Sequence, residues 1–144
     1  MGFDLYGISP DLTRPEPELP SMVDRTSKHW EIYTEWQKEN CGVHFRNNVW
    51  GWRPLWHLVC ASCGDILTDK DMQAGSHNEN HKISKTKAER ISKRLKSWLK
   101  DGSLDGWDEF RKHAEPNIAD YPFHIDNVSR FAKFCEHSGG FRIR

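Results

Sequence analysis

Ser84-Lys-Thr-Lys-Ala-Glu-Arg-Ile-Ser-Lys-Arg-Leu-Lys-Ser-Trp-Leu-Lys100 decides what kind of molecule this chain builds. Ala88, Ile91, Leu95, Trp98 and Leu99 recur at three- and four-residue intervals, so on a helix they form one apolar stripe. Lys82, Lys85, Arg90, Lys93, Arg94, Lys96 and Lys100 fall opposite that stripe. A strand, whose side chains alternate, cannot separate these residues in this way. Thr86 and Glu89 have the spacing of a capping box, and Gly102 ends the element. An amphipathic helix buries its stripe only against other elements, so the flanking sequence must supply a core.

Before this helix, Thr68 and Asp71 mark the start of a short helix that Gly75 closes, and Ser76–Lys82 reads as a polar loop. Further upstream, Leu55, Val59, Cys63 and Ile66 share a helical face, which predicts a helix over Pro54–Cys63 capped by Gly64. Ser27 is placed to cap a helix from Lys28 to Asn40, with Trp30, Tyr33, Trp36 and Gln37 at near-helical spacing and Gly42 as its stop. Downstream, a helix is expected over Leu104–His113. Another, capped by Asp126, carries Val128, Phe131, Ala132, Phe134 and Cys135 and stops at Ser138-Gly139-Gly140. At the two ends the period changes to two. Phe3 and Leu5 alternate with Asp4 and Tyr6 up to Gly7, and Phe141–Arg144 reads as a last strand, so the ends are expected to pair. The reading is a compact, helix-dominated α+β fold over residues 1–144. It is a single domain with a small sheet from short terminal strands and a Pro-rich surface segment at about 8–20, where Pro10, Pro15, Pro17 and Pro20 fall.

Seven Trp and seven Phe in 144 residues are enough for one core. No apolar run approaches the ~20 residues of a membrane span. The opening residues lack the basic and apolar regions of a signal peptide. Four Cys without a secretory signal read as thiols or metal ligands rather than disulfides. These features place the chain in a cytosol and away from membranes. Net charge is zero, but unevenly spread: residues 1–40 hold eight acids and four bases, residues 82–100 eight bases and one acid.

Phe45-Arg-Asn-Asn-Val-Trp-Gly-Trp-Arg-Pro-Leu-Trp56 is the first candidate site. Arg forks match anionic oxygens, Asn matches amide edges, and Trp stacks on planar groups. Arg46, Asn48, Trp52 and Arg53, with Asn78 and His81 from the polar loop, are therefore the expected ligand-binding residues. Arg53, just before Pro54, is expected at a helix N-terminus, where backbone N–H groups also attract anions. The same stretch also reads as core Trp anchors with locally paired Arg. A second candidate is metal: Cys60, Cys63, His77 and His81 follow the pattern C-x2-C-x13-H-x3-H, within the spacing of a structural zinc site. The third is the basic helix, where Lys85, Arg90 and Arg94 either face solvent or meet nucleic acid or an acidic protein surface. For catalysis there is no Gly-rich phosphate loop, nucleophile elbow or telling carboxylate pair, although His77 with Glu79 or Asp71, and His44 near Arg46, are acid–base groups in proximity.

Met1-Gly-Phe-Asp-Leu-Tyr-Gly, Phe45-Arg-Asn-Asn-Val-Trp-x-Trp-Arg-Pro-Leu-Trp56, Asn78 with His81, Tyr121-Pro-Phe and Phe134-Cys-x-x-Ser-Gly-Gly-Phe-x-Ile143 together resemble a family of small uncharacterised bacteriophage and bacterial proteins. The resemblance covers most of the chain outside residues 11–41 and transfers no catalytic residues. It implies a bacterial or phage-infected host cytosol. Some small phage proteins counter host defence by trapping nucleotide signals, which makes such a role an expectation here. The function expected is non-enzymatic binding of a small anionic or nucleotide-like ligand, or of a host protein surface, without a cofactor. The alternative is a zinc-stabilised interaction module that contacts nucleic acid or an acidic partner through residues 82–100.

Overall fold

The structure, a computed structural model, describes residues 2–114 and 120–144. Met1 of the opening motif and residues 115–119 of the expected domain lie outside the described residues. The fold is α+β, with six helices and a four-stranded antiparallel sheet among the described residues. In chain order the elements are β1 (Gly2–Gly7), α1 (Ser27–Glu39), β2 (His44–Asn48), α2 (Val49–Ser62) and α3 (Asp69–Ala74), followed by β3 (His81–Ile83), α4 (Lys85–Asp101), α5 (Ser103–Ala114), α6 (Ile125–His137) and β4 (Phe141–Ile143). Among the described residues, no helix is long and apolar enough to cross a membrane.

The apolar stripe of α4 is buried as its spacing predicts. Ala88, Ile91 and Leu95 are completely buried, and Trp98 and Leu99 are partly buried against the same core. Much of their cover comes from α6, which offers Val128, Phe131, Ala132 and Cys135. Small residues let the two helices approach closely, and Ser92 Oγ donates to the Ala132 carbonyl at 2.7 Å. The cap differs from expectation. Ser84 is the N-cap, its Oγ accepting the Lys87 N–H, so Thr86 falls inside the first turn and forms no capping box with Glu89. Gly102 does close the helix, in the left-handed conformation at φ 79° that favours glycine.

The sheet order is β2-β1-β4-β3, so the terminal strands pair as expected and form its centre. Leu5 lies opposite Ile143, and the Asp4 and Arg144 backbones exchange hydrogen bonds at 2.9 and 2.7 Å. Two strands the sequence concealed extend it on either side. β3 occupies the end of the expected Ser76–Lys82 loop, and β2 the start of the aromatic-Arg stretch. Phe3, Leu5, Phe45, Ile83, Phe141 and Ile143 point inward and are buried in the core that α2 and α6 close over the sheet.

Three other boundaries are corrected. α2 starts at Val49, five residues before Pro54, because Asn48 Oδ1 accepts the Gly51 N–H at 2.9 Å and caps it there. Arg53 therefore stands within the helix and not at its N-terminus. The cap of α1 is Thr26 rather than Ser27, with Thr26 and His29 hydrogen-bonded reciprocally, and of Trp30, Tyr33 and Trp36 only Trp36 is buried. The N-cap of α6 is His124, with Asp126 in the first turn and no side-chain cap. The Thr68–Asp71 capping box of α3 is present as read, and α5 begins at Ser103, one residue before its expected start.

Candidate functional site: a basic cleft at the sheet edge

β2 is an edge strand, and α1 and α6 flank it. Between them lies a cleft of about 300 Å³ lined by Thr34, Gln37, Lys38, Cys41, His44, Phe45, Arg130 and Lys133. Four of these residues are basic or imidazole and none is a carboxylate. Arg130 and Lys133, three apart on α6, share a face of that helix. Neither forms an ion pair among the described residues. The Arg130 guanidinium lies 5.2 Å from the Phe45 ring centroid, which fixes its plane against the wall. Lys38 reaches Glu35 at 3.6 Å, but both are well exposed, so the pair is weak. Cys41 donates its Sγ–H to the Lys133 carbonyl at 3.9 Å. Burial raises its pKa above the ordinary value, so at neutral pH the cleft holds a thiol rather than a nucleophilic thiolate.

The cleft keeps its shape because α1 is tied from below. Trp36 Nε1 donates to the Arg14 carbonyl at 3.0 Å, and buried Asn40 accepts the Thr13 N–H at 2.7 Å while donating to the Trp36 carbonyl at 2.8 Å. Gly42 follows where a Cβ would come within 2.1 Å of the His137 carbonyl oxygen, so only glycine lets this loop close onto α6. His44 Nε2 is held 2.8 Å from Asp4 Oδ1, and Arg46 binds the other Asp4 oxygen. Burial alone would lift the Asp4 carboxyl. The hydrogen bonds from His44 and Arg46 and the Arg46 charge outweigh it and hold the group below its ordinary value.

The six expected ligand-binding residues are divided among four places. Arg46 pairs with Asp4 on the outer sheet face, and near it Asn78 donates to the Gly2 carbonyl at 3.0 Å. Asn48 caps α2. Trp52 and Arg53 adjoin a mainly apolar cavity of about 220 Å³ that Trp56, Met72 and Phe3 also line. Trp52 is nevertheless core. It is 1% exposed, stacks on Trp56 and Phe3 at 5.2 and 5.4 Å, and donates its indole N–H to the Gly75 carbonyl at 2.6 Å. His81 is bonded to buried Asp71 at 2.7 Å and lines a separate polar hollow of about 500 Å³ with His77.

The expected metal ligands are likewise apart. Cys63 is wholly buried and Cys60 lines the Trp cavity, while His77 and His81 share the hollow beyond α3. Among the described residues, no three His, Cys, Asp or Glu side chains gather as a metal-binding group. Burial pushes the Cys60 thiol up to about 12. On the basic helix, Arg94 makes a two-pronged contact with Asp65, Arg90 reaches the same carboxylate, Lys87 binds Asp71, Lys96 binds Glu136 and Lys85 reaches Glu89. Much of its charge is thus met within the fold.

Lys38, Arg130 and Lys133 were not singled out from the sequence. The i, i+3 spacing of Arg130 and Lys133 puts two cations on one side of α6, but nothing local tells that α6 lies beside β2. No protein-family model, curated protein or solved structure matches this chain.

Proposed function

We propose that this protein binds, without turning it over, a small anionic ligand of nucleotide size in the cleft between α1, β2 and α6. The observation that carries the reading is the pair Arg130 and Lys133, two cations without acid partners among the described residues, on the wall of a cavity whose lining lacks any carboxylate. Arg supplies a planar fork for phosphate-like oxygens, and Lys a point charge beside it. Thr34 and Gln37 add neutral donors and acceptors that can select among anions. A volume of about 300 Å³ is at the lower end of small-molecule sites. The resemblance to phage and bacterial proteins accords with capture of a nucleotide signal in an infected cell.

The test is calorimetric titration with inorganic phosphate and with nucleoside mono-, di- and triphosphates at low salt, together with recovery of the ligand after incubation. Binding should strengthen with ligand charge, and the ligand should return intact. Lys133→Ala should weaken it about tenfold, or about 1.4 kcal/mol, and Lys133→Glu should abolish it, both with an unchanged unfolding midpoint. Unaltered affinity in Lys133→Glu, or no binding of any of these anions at millimolar concentration, would sink the proposal.

A further inference from the structure

The face of the sheet that turns away from the helices is chemically unlike the rest of the surface. Inward residues of each strand are apolar, and the register brings the outward ones into two rows. His44, Tyr6, Arg142 and Lys82 lie side by side across β2, β1, β4 and β3. In the next row Arg46 and Arg144 flank Asp4. Four fixed cations thus share this face with one strand carboxylate, and Asp4 is already engaged by His44 and Arg46. Among the described residues Arg142 and Arg144 hydrogen-bond only neutral acceptors, the Asn80 carbonyl at 3.2 Å and the Asn80 side-chain oxygen at 3.1 Å. Their charge is oriented but not neutralised.

An aromatic surface lies within this field. Tyr6, on a central strand, is 43% exposed. His44 stacks on it from β2 at 4.8 Å and 18°, and the Arg144 guanidinium lies over it from the end of β4, 5.7 Å from the ring centroid, so a base reaches the ring by displacing that flexible side chain. Strands stand about 4.8 Å apart, so a row of four spans roughly 14 Å. One phosphate cannot engage cations spread that far. A flexible polyanion can, and an exposed ring adds most when the polyanion carries unpaired planar bases. A duplex hides its bases from such a ring, and an acidic peptide has none to stack.

We propose that the outer face of the sheet is a second binding surface, one for single-stranded nucleic acid, with Tyr6 as the stacking platform and Lys82, Arg142 and Arg144 as backbone contacts. It does not rest on the cleft, with which it shares only His44.

The experiment is fluorescence anisotropy with labelled 12-nucleotide DNA and RNA single strands, the corresponding duplex and a polyglutamate competitor, at two salt concentrations. Either single strand should bind at least about tenfold more tightly than the duplex. Three phosphate contacts should give a log–log salt slope near −2, since each contributes about −0.7 on single strands. Tyr6→Ala should weaken binding about tenfold and Tyr6→Phe should restore it, because the ring rather than the hydroxyl is required. Lys82→Ala with Arg142→Ala should flatten the slope by more than one while leaving phosphate titration of the cleft unchanged, so that either reading can fail alone. Equal affinity for duplex and single strand, displacement by polyglutamate at equal charge, or a Tyr6→Phe variant as weak as Tyr6→Ala would each overturn the proposal.

Discussion

Asp71 is 4% exposed and bears a charge that its neighbours keep in place. Burial would raise its pKa, but hydrogen bonds from Lys87, His81 and Thr68 outweigh that effect and bring it to about 2, against an ordinary 3.8. A carboxyl whose pKa is lower in the folded chain than in the unfolded one contributes stability above the unfolded value, and loses that contribution as pH falls through the folded value. The window here runs from about pH 4 down to about pH 2. Asp71→Asn should therefore cost about 2–3 kcal/mol at pH 7, at about 1.4 kcal/mol for each pKa unit. Denaturant unfolding at pH 7, 4 and 2 checks this: the gap between the two proteins should be full at pH 7 and narrow toward pH 2. A gap that does not change with pH would mean that the lost contribution is packing, not charge. The pairing of Asp71 with His81 also explains why a polar loop histidine read as a ligand contact from the sequence has a structural partner in the fold.

At the scale of elements, α4 is where sequence and structure agree most closely. Leu95 is completely buried, and Leu95→Ala should cost about 2–5 kcal/mol in denaturant unfolding. A loss under about 1 kcal/mol would place the α4–α6 seam outside the stabilising core. The stripe was legible because four to five helical turns repeat their pattern enough to be unambiguous. So were the terminal strands, whose alternation is clean. β2 and β3 were not, since five and three residues give a period of two little room to appear, and β3 exists largely because β4 is there to pair with it. The start of α2 was misplaced because Pro54 looked like a first-turn residue, while the signal that decided the matter was the side chain of Asn48 three residues before Gly51. Of the aromatic-Arg stretch, the local pairing of Arg46 and the core role of Trp52 and Trp56 were among the readings the sequence allowed, whereas Trp50 is exposed. The cleft was not, because its walls come from α1, β2 and α6, and their proximity depends on contacts such as Gly42 against His137 that no local pattern encodes.

At the scale of the whole molecule, the sheet depends on its last strand. β4 lies between β1 and β3, so removing residues 141–144 takes out the middle of the sheet and leaves β3 with no strand to pair. A chain ending at Gly140 should lose cooperative unfolding and expose Phe3, Leu5 and Ile83 to a hydrophobic dye. A sharp thermal transition like that of the full chain would show that the helices hold the fold unaided. The central position of β4 also sets an order in time. During synthesis β1 is made well before β4, and β2 can join it early, but the other edge of β1 stays open until residues 141–143 have been made. β3 waits for the same event. Until then the nascent protein presents an unfinished strand edge beside apolar side chains, the kind of surface that invites aggregation or capture by chaperones. Completion of the sheet is thus deferred until β4 has been made, and any pause before residues 141–143 prolongs the interval in which the nascent protein is vulnerable.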